Sequence, residues 1–234
     1  MRVAIIGGIG CGKSTVLEAI KELGFAVRSA DEINRQLLED QQYLRLLGAA
    51  FPDVVVGGKV DKDSLRAQIF SDPSKRYMLN NIAHPLIRRK IASFNDNPLF
   101  VEVPLIVESG MHEDFDELIL VRSKMSKRIK RLKQRTRMKG YIRKIIFSQM
   151  PEKKLLSFAT ITINNNGTLD ELKQSVKEVV DYIIYENKLS ESKNVNNLTD
   201  TKAKSAGSRN AKLSAENQND KNLPNTGSAG EQRI

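Results

Sequence analysis

The segment Gly7-Gly8-Ile9-Gly10-Cys11-Gly12-Lys13-Ser14-Thr15 fits the pattern G-x-x-x-x-G-K-[ST] near the start of the chain. Glycines let the main chain curl so that successive N–H groups point at phosphate oxygens, and a following helix adds its positive dipole end. In such a loop the lysine contacts the β- and γ-phosphates, and the serine hydroxyl binds Mg²⁺. The segment predicts a nucleoside triphosphate site. Its expected binding residues are Gly8, Gly10, Cys11, Gly12, Lys13, Ser14 and Thr15, with Ser14 as the metal ligand.

The segment also has other interpretations. A glycine-rich turn could merely end a strand, but an apolar strand and an amphipathic helix flank the motif where phosphate binding requires them. Cys11 could have a lowered pKa near a helix N-terminus, although a small loop residue is the simpler interpretation. The motif alone does not distinguish a GTPase, an ATPase, a motor or a small-molecule kinase.

Asp31 follows the second predicted strand. Because the carboxyl ends of parallel strands gather at one edge of a sheet, we expect Asp31 beside the phosphate loop. Its carboxylate could accept the proton of an attacking hydroxyl or hold Mg²⁺ through water. It could equally cap a helix predicted over Glu32–Leu47, and the residues alone leave the two roles about even. His84, before Pro85, is interpreted as the N-cap of another helix.

The run Arg122–Lys144 contains twelve Lys or Arg residues and no acid, with apolar residues at helical spacing. Three interpretations compete: a solvated charged face, a nucleic-acid patch, or a mobile lid over a triphosphate. The position of the run after the fourth strand, close to the phosphate edge, favours a lid. Only a few of the twelve cations could reach the phosphates, so most would be surface charge.

Short apolar runs alternate with stretches of helical period, which predicts a parallel sheet with crossover helices. The predicted strands are Val3–Ile6, Phe25–Arg28, Leu99–Val103, Leu118–Val121 and Thr160–Ile163. The long gap between the second and third strands predicts a helical insertion, with helices that begin at Asp72-Pro73 and His84-Pro85. A final amphipathic helix is expected from about Leu169 to Tyr185.

The composition excludes several classes of protein. The 234 residues include one cysteine and two histidines, which leaves no disulfide framework or Cys-rich zinc site. No apolar run approaches the roughly 20 residues that cross a bilayer, so we expect a cytoplasmic protein without a membrane partner. Residues 188–234 are polar, lack aromatic residues and predict a disordered tail. The net charge of +10 suggests an anionic partner.

Several fragments, taken in order, resemble the dephospho-coenzyme A kinase family over about residues 1–187. Besides the phosphate loop they are Ala30-Asp31-Glu32-Ile33, His84-Pro85-Leu86-Ile87-Arg88, Val103-Pro104-Leu105 with Glu108-Ser109-Gly110, Gln149-Met150-Pro151 and Asn165-Asn166-Gly167. The resemblance implies an α/β P-loop kinase core with a five-stranded parallel sheet, a helical acceptor-binding insertion (35–95) and a helical lid (123–150). It also implies ATP-dependent phosphorylation of the ribose 3′-hydroxyl of dephospho-coenzyme A, the last step of coenzyme A synthesis, with Mg²⁺.

The resemblance assigns roles to individual residues. Asp31 matches the family's proposed general base, which raises the odds for that role over a helix cap. His84 and Arg88 match residues beside the acceptor, Arg135 the lid arginine, and Asn165 an asparagine near the adenine. A GTPase would need an Asn-Lys-x-Asp signature, which the chain lacks. A nucleoside monophosphate kinase and a nucleic-acid-binding module with a relic nucleotide site remain as alternatives, and nucleic acid is the less favoured partner.

Overall fold

The computed structural model describes residues 1–135, 141–189 and 192, and of Arg135 only the main chain. Within these residues five parallel strands form one sheet, and they are β1 (Arg2–Ile6), β2 (Ala26–Ser29), β5 (Leu99–Glu102), β6 (Glu117–Arg122) and β7 (Ile161–Asn164). Their order across the sheet is β2-β5-β1-β6-β7. The five strands predicted from the apolar runs are confirmed, and so is the α/β fold class. No helix in the described ranges is long and apolar enough to span a bilayer.

The central strand β1 is buried on both faces because each face is covered by helices. Val3 and Ile5 belong to a core shared with helix α1 (Lys13–Glu22) and helix α9 (residues 169–189). Ala4 and Ile6 point to the opposite core, which the insertion after β2 covers. The alternation along one strand therefore divides the interior into two apolar layers.

The insertion between β2 and β5 is mostly helical, as predicted. It contains α2 (Ala30–Leu37), α3 (Gln41–Ala50), the short hairpin β3 (Val55–Val56) with β4 (Lys59–Val60), α4 (Lys62–Ser71) and α5 (Pro73–Ala92). The hairpin was not predicted. The single helix expected over Glu32–Leu47 is wrong, because Asp40 accepts a hydrogen bond from the Tyr43 N–H and begins a second helix there.

The predicted helix start at His84-Pro85 is also wrong. Asp72 caps α5 and Pro73 takes its first position, as predicted, but Pro85 lies inside the helix. A proline there removes one main-chain hydrogen bond. The buried neighbours Leu86 and Ile87 keep this part of α5 packed on the core.

The basic segment, defined as residues 123–150, contains α6 (Met125–Arg135) and α7 (Ile142–Phe147). Helix α8 (Glu152–Leu156) follows and leads to β7, where the Thr160 hydroxyl accepts a hydrogen bond from the Leu118 N–H at 3.0 Å. A compact unit comprises Met1–Ile184. Helix α9 continues to residue 189, so the first two residues of the predicted tail are helical, and nearly all of the rest of that tail lies outside the described residues.

Candidate active site

The phosphate loop, residues 7–12, connects the carboxyl end of β1 to α1. Gly7 and Gly12 have φ values of 145° and 99°, which side-chain-bearing residues rarely adopt. At Gly7 a Cβ atom would also lie 2.5 Å from the main-chain oxygen of Val121 on β6. The loop therefore fits against its neighbouring strand only with glycine at this position.

The carbonyl oxygens of the loop accept hydrogen bonds from side chains of the protein itself. Lys13 Nζ, for example, donates to the Gly7 carbonyl at 3.0 Å. The other pairs are Arg128 Nε to Ile9 (2.9 Å), Arg131 Nη1 to Gly10 (3.3 Å) and to Cys11 (3.2 Å), and Asn165 Nδ2 to Cys11 (2.8 Å). These bonds turn the negative ends of the loop peptides toward the protein.

Several N–H groups of the loop and of the first turn of α1 have no acceptor among the described residues, including those of Gly10, Gly12, Lys13 and Ser14. Unpaired donors at a helix N-terminus, with the carbonyls turned away, form a site for an anion. The unpaired N–H groups agree with the nest that the motif predicts, and phosphate binding by these residues stays a prediction.

Lys13 is held at the loop by an acid that the sequence analysis missed. Its Nζ lies 3.6 Å from Oε1 of Glu102, and both side chains are largely shielded, at 13% and 21% exposure. Glu102 is the last residue of β5, the strand that pairs with β1. An acid at the carboxyl end of a buried strand was the available signal, because that edge carries the phosphate loop.

Cys11 is buried, with 1% of its surface exposed, and it packs in the core beneath α1. Burial raises the pKa of the thiol, and the smaller opposing effects of Arg128 and Lys13 do not reverse this. The possibility of a lowered pKa is therefore wrong. The residue contributes its main chain to the loop and its side chain to the core.

Ser14 lies exposed on the first turn of α1, and the Thr15 N–H donates to the Gly12 carbonyl at 3.1 Å. Hydroxyl and carboxylate oxygens are the ligands that Mg²⁺ prefers, usually completed by water and substrate phosphates. Ser14 and Glu102, the acid beside Lys13, have oxygen donors of that kind. In the described part of the chain no group of three or more His, Cys, Asp or Glu side chains could hold a metal ion.

A cavity of about 210 Å³ opens between α2, α5 and the turn after β5. Asp31 from α2 and His84 from α5 both line it, and Ser109 from the turn does so as well. The structure thus brings Asp31 and His84 together, at the sheet edge that also carries the phosphate loop. Part of the Glu108-Ser109-Gly110 turn faces this cavity, while Glu108 itself is exposed.

Asp31 is not a helix cap. Helix α2 begins at Ala30, with Ser29 in the N-cap position, so Asp31 is the second helical residue. Its side chain is exposed, and no described residue hydrogen-bonds to its carboxylate. The cap interpretation is therefore wrong, and the carboxylate is available to a molecule in the cavity.

His84 is half-buried in the middle of α5, so its interpretation as an N-cap is wrong. Burial lowers the pKa of its imidazole, and the nearby Arg88 guanidinium lowers it further. The ring is therefore neutral at pH 7, with one nitrogen able to donate and the other able to accept a hydrogen bond.

Arg88, one turn after His84, does not line that cavity. Its Nη2 donates to the Gly110 carbonyl at 2.5 Å, and its Nε lies 2.8 Å from Oδ2 of Asp114. These contacts fasten α5 to the turn after β5. Arg88 thus supports the wall of the cavity in this structure.

The remaining two predicted site residues are Asn165 and Arg135. Asn165 is 5% exposed, and its Oδ1 accepts from Arg131 Nη2 at 2.9 Å while its Nδ2 donates to Cys11. Its amide is therefore occupied in bracing the phosphate loop. Arg135 is the final residue of α6, and its side chain, like residues 136–140, lies outside the described part of the structure.

A parallel sheet whose first strand leads into this anion-binding loop, beside a cavity that presents a free carboxylate, defines a P-loop kinase. A family model for dephospho-CoA kinase matches residues 1–171. The dephospho-CoA kinase of Corynebacterium glutamicum is 32% identical over 191 residues, covering 77% of this chain and 98% of the relative. That of Chlorobaculum tepidum is 34% identical, with 76% and 92% covered.

Solved structures agree with these sequence matches. The dephospho-CoA kinase from Campylobacter jejuni superposes with a TM-score of 0.60 at 27% identity, covering 80% of this chain and 98% of that one. The protein TT1252 from Thermus thermophilus gives a TM-score of 0.67 at 29% identity, with 78% and 97% covered. The chain belongs to the dephospho-CoA kinase family, the ATP-using transferases that phosphorylate dephospho-CoA in the last step of coenzyme A biosynthesis.

Proposed function

We propose that this chain transfers the terminal phosphoryl group of ATP, together with Mg²⁺, to the ribose 3′-hydroxyl of dephospho-CoA. One observation carries the proposal: a loop with unpaired N–H donors and a cavity with a free carboxylate open at the same edge of the sheet. Phosphoryl transfer needs both sites side by side, because the attacking hydroxyl must approach the γ-phosphate in line.

On the donor side, the loop N–H groups bind phosphate oxygens, and Lys13 offsets the charge that develops on the β- and γ-oxygens. Glu102 keeps Lys13 directed at the loop. The Ser14 hydroxyl would hold Mg²⁺, with Glu102 as a second oxygen ligand through water. When bound, the ion neutralises phosphate charge during transfer.

On the acceptor side, Asp31 takes the proton of the ribose hydroxyl. Because the transition state of phosphoryl transfer is loose, its main contribution is to orient that hydroxyl. His84 is neutral and offers the acceptor a hydrogen bond from the opposite wall of the cavity. Arg88 would contact the substrate directly only after its ion pair with Asp114 opens.

The resemblance alone supports roles for Arg135 as the phosphate-facing lid cation and for Asn165 at the adenine. The basic segment suits a lid better than a nucleic-acid patch, because Arg128 and Arg131 donate to loop carbonyls instead of facing outward. We therefore propose a small-molecule acceptor, with neither nucleic acid nor membrane as partner, and a cytoplasmic enzyme. The single, buried cysteine fits that reducing compartment.

The test is a transfer assay with the purified full chain, ATP and Mg²⁺. Dephospho-CoA is offered against AMP, CMP and shikimate as rival acceptors, and the Lys13→Ala variant controls for contaminating kinases. We expect phosphate transfer to the ribose 3′-hydroxyl of dephospho-CoA that is lost in the variant. Transfer only to a rival acceptor would overturn the proposal.

A titration with single-stranded RNA at several salt concentrations tests the nucleic-acid alternative. An RNA-binding protein loses affinity steeply as salt rises, since each neutralised phosphate releases counterions. We expect only weak binding at about 150 mM salt, with no preference for sequence. Tight binding that survives this salt concentration would favour the alternative.

A further inference from the structure

Ile9 of the phosphate loop is held through both of its main-chain groups by the basic segment. Its N–H donates to Oε1 of Gln149 at 2.7 Å, and its carbonyl accepts from Nε of Arg128 at 2.9 Å. Arg128 lies on α6 and Gln149 follows α7, so the two contacts come from different parts of the segment. The contact of Gln149 with Ile9 gives the motif Gln149-Met150-Pro151 a structural role.

The side chain of Ile9 makes a third attachment to the same segment. It packs against a small apolar cluster formed by Leu132, Ile142 and Ile146, which is separate from the two main cores. Ile9 therefore connects the loop to the basic segment by three contacts, which are made by its N–H, its carbonyl and its side chain. A shift of α6 or α7 would be transmitted to the loop main chain.

Arg128 is a buried cation, with 8% of its surface exposed. No described carboxylate forms an ion pair with it, because the nearby Glu152 pairs with Arg122 instead. A buried charge is costly without compensation. The Ile9 carbonyl compensates part of that cost, and the remaining positive charge stays directly behind a loop that binds an anion.

The fit at Gly8 shows how closely these two side chains approach the loop. A Cβ atom at Gly8 would lie 2.5 Å from Nη2 of Arg128 and 3.4 Å from Oε1 of Gln149. The same residues line a cavity of about 420 Å³ between the loop, β6 and the basic segment. Both side chains that bond to Ile9 thus lie directly against the loop main chain.

We propose that Gln149 and Arg128 are positioning residues that set the conformation of the phosphate loop through Ile9 and thereby control ATP affinity. Gln149 fixes the direction of the Ile9 N–H, and Arg128 fixes its carbonyl and adds positive charge. Together they hold the turn that precedes the N–H groups of Gly10 and Gly12. The inference rests on ATP binding by this loop and is independent of which acceptor is used.

The first experiment compares Gln149→Met with Gln134→Met. Methionine matches the length of glutamine and lacks the acceptor oxygen, and Gln134 is an exposed residue of α6 in the same segment. We expect Gln149→Met to weaken ATP binding, measured by calorimetry, about fivefold to tenfold, as the loss of one hydrogen bond implies. The KM for the acceptor should stay near wild type, and the melting temperature should fall by no more than about 4 °C, as one lost hydrogen bond implies. Gln134→Met should change none of these values.

The second experiment measures amide hydrogen exchange at Ile9 by NMR in the free protein, which needs no substrate. The Ile9 N–H should exchange about tenfold faster in Gln149→Met. The Cys11 N–H, bonded to the Gly8 carbonyl, serves as the internal reference. Equal exchange rates at Ile9, or unchanged ATP affinity in Gln149→Met, would overturn the proposal.

Arg128→Gln provides a variant for the other contact. Glutamine can still donate to the Ile9 carbonyl but lacks the charge. We expect ATP affinity to fall about tenfold while the KM for the acceptor is retained. An equal loss for both substrates, accompanied by a lower melting temperature, would indicate a purely structural role and contradict the proposal.

Discussion

Asp31 has three structural properties that could not all be predicted from the sequence. It is the second residue of α2, its carboxylate is free of hydrogen bonds to described residues, and it lines the same cavity as His84. The N-terminal position also places the carboxylate near the positive end of the helix dipole. A charged, unpaired carboxylate facing a cavity can both orient a hydroxyl and accept its proton.

Replacement of Asp31 by asparagine should therefore affect turnover far more than ATP binding. We expect kcat to fall by about 10²-fold or more, while the affinity for ATP changes little. Steady-state kinetics and ATP calorimetry measure the two effects. Glu32→Gln, the neighbouring exposed acid on α2, is the matched control and should retain near-normal turnover. Turnover of Asp31→Asn within a few fold of wild type would contradict the role of Asp31.

The loop residues could be predicted from the sequence because main-chain geometry and glycine spacing determine them. The partners of the loop could not. Arg131 and Asn165 reach the Cys11 carbonyl from positions far along the chain, and Glu102 meets Lys13 only because β5 pairs with β1. Such contacts depend on strand order, which no local pattern specifies.

At the scale of elements, the helical insertion also shows that local sequence signals predict some features correctly and miss those that depend on packing. Local signals correctly place the caps at Asp72-Pro73, yet they also suggest a false helix start at Pro85. Packing of Leu86 and Ile87 outweighs the lost hydrogen bond of that proline. Conversely, the cap at Asp40 breaks a continuous helical pattern, because its side chain satisfies a new N-terminus.

The Asp40 cap can be tested by Asp40→Ala. Removal of the side chain leaves the Tyr43 N–H without its acceptor, so the free energy of unfolding should fall by about 1 kcal/mol. Urea denaturation measures this change. Glu39→Ala removes an exposed acid one residue earlier, which caps no helix, and should have little effect. Equal losses in the two variants would show that the cap contributes nothing.

The free energy of unfolding depends on pH through His84 in α5, because the pKa of its imidazole in the folded protein lies below the ordinary value of 6.5. As the pH falls below 6.5, the unfolded chain binds a proton at this site before the folded chain does, so folding becomes less favourable. The facing charges are Arg88, which adds to the shift, and the cavity-lining Asp31.

We therefore expect wild type to lose more stability between pH 7.5 and pH 5.5 than His84→Gln. Urea unfolding at both pH values gives the two differences, and an NMR titration of the His84 ring gives the pKa directly. Parallel losses of stability in the two proteins, or a ring pKa at or above 6.5, would contradict the assignment.

At the scale of the whole molecule, the charge of +10 has two different sources. Residues 188–234 contribute eight basic and five acidic side chains, a net +3, and residues 1–187 therefore contribute +7. In the folded part, Arg128 and Arg131 are directed at the phosphate loop. These two cations serve the site, and the composition of the tail indicates no comparable purpose.

A chain that ends at residue 189 should therefore retain both stability and activity. Residues beyond that point are polar and have no periodic apolar face, so their removal should expose no core, because such sequences bury little surface. We expect the melting temperature to stay within about 2 °C of the full chain and kcat/KM to stay within about twofold. Thermal unfolding and steady-state kinetics on both chains measure this. A clear fall in melting temperature would mean that the tail packs on the folded part, and an altered KM for ATP alone would mean that its charge acts on the nucleotide.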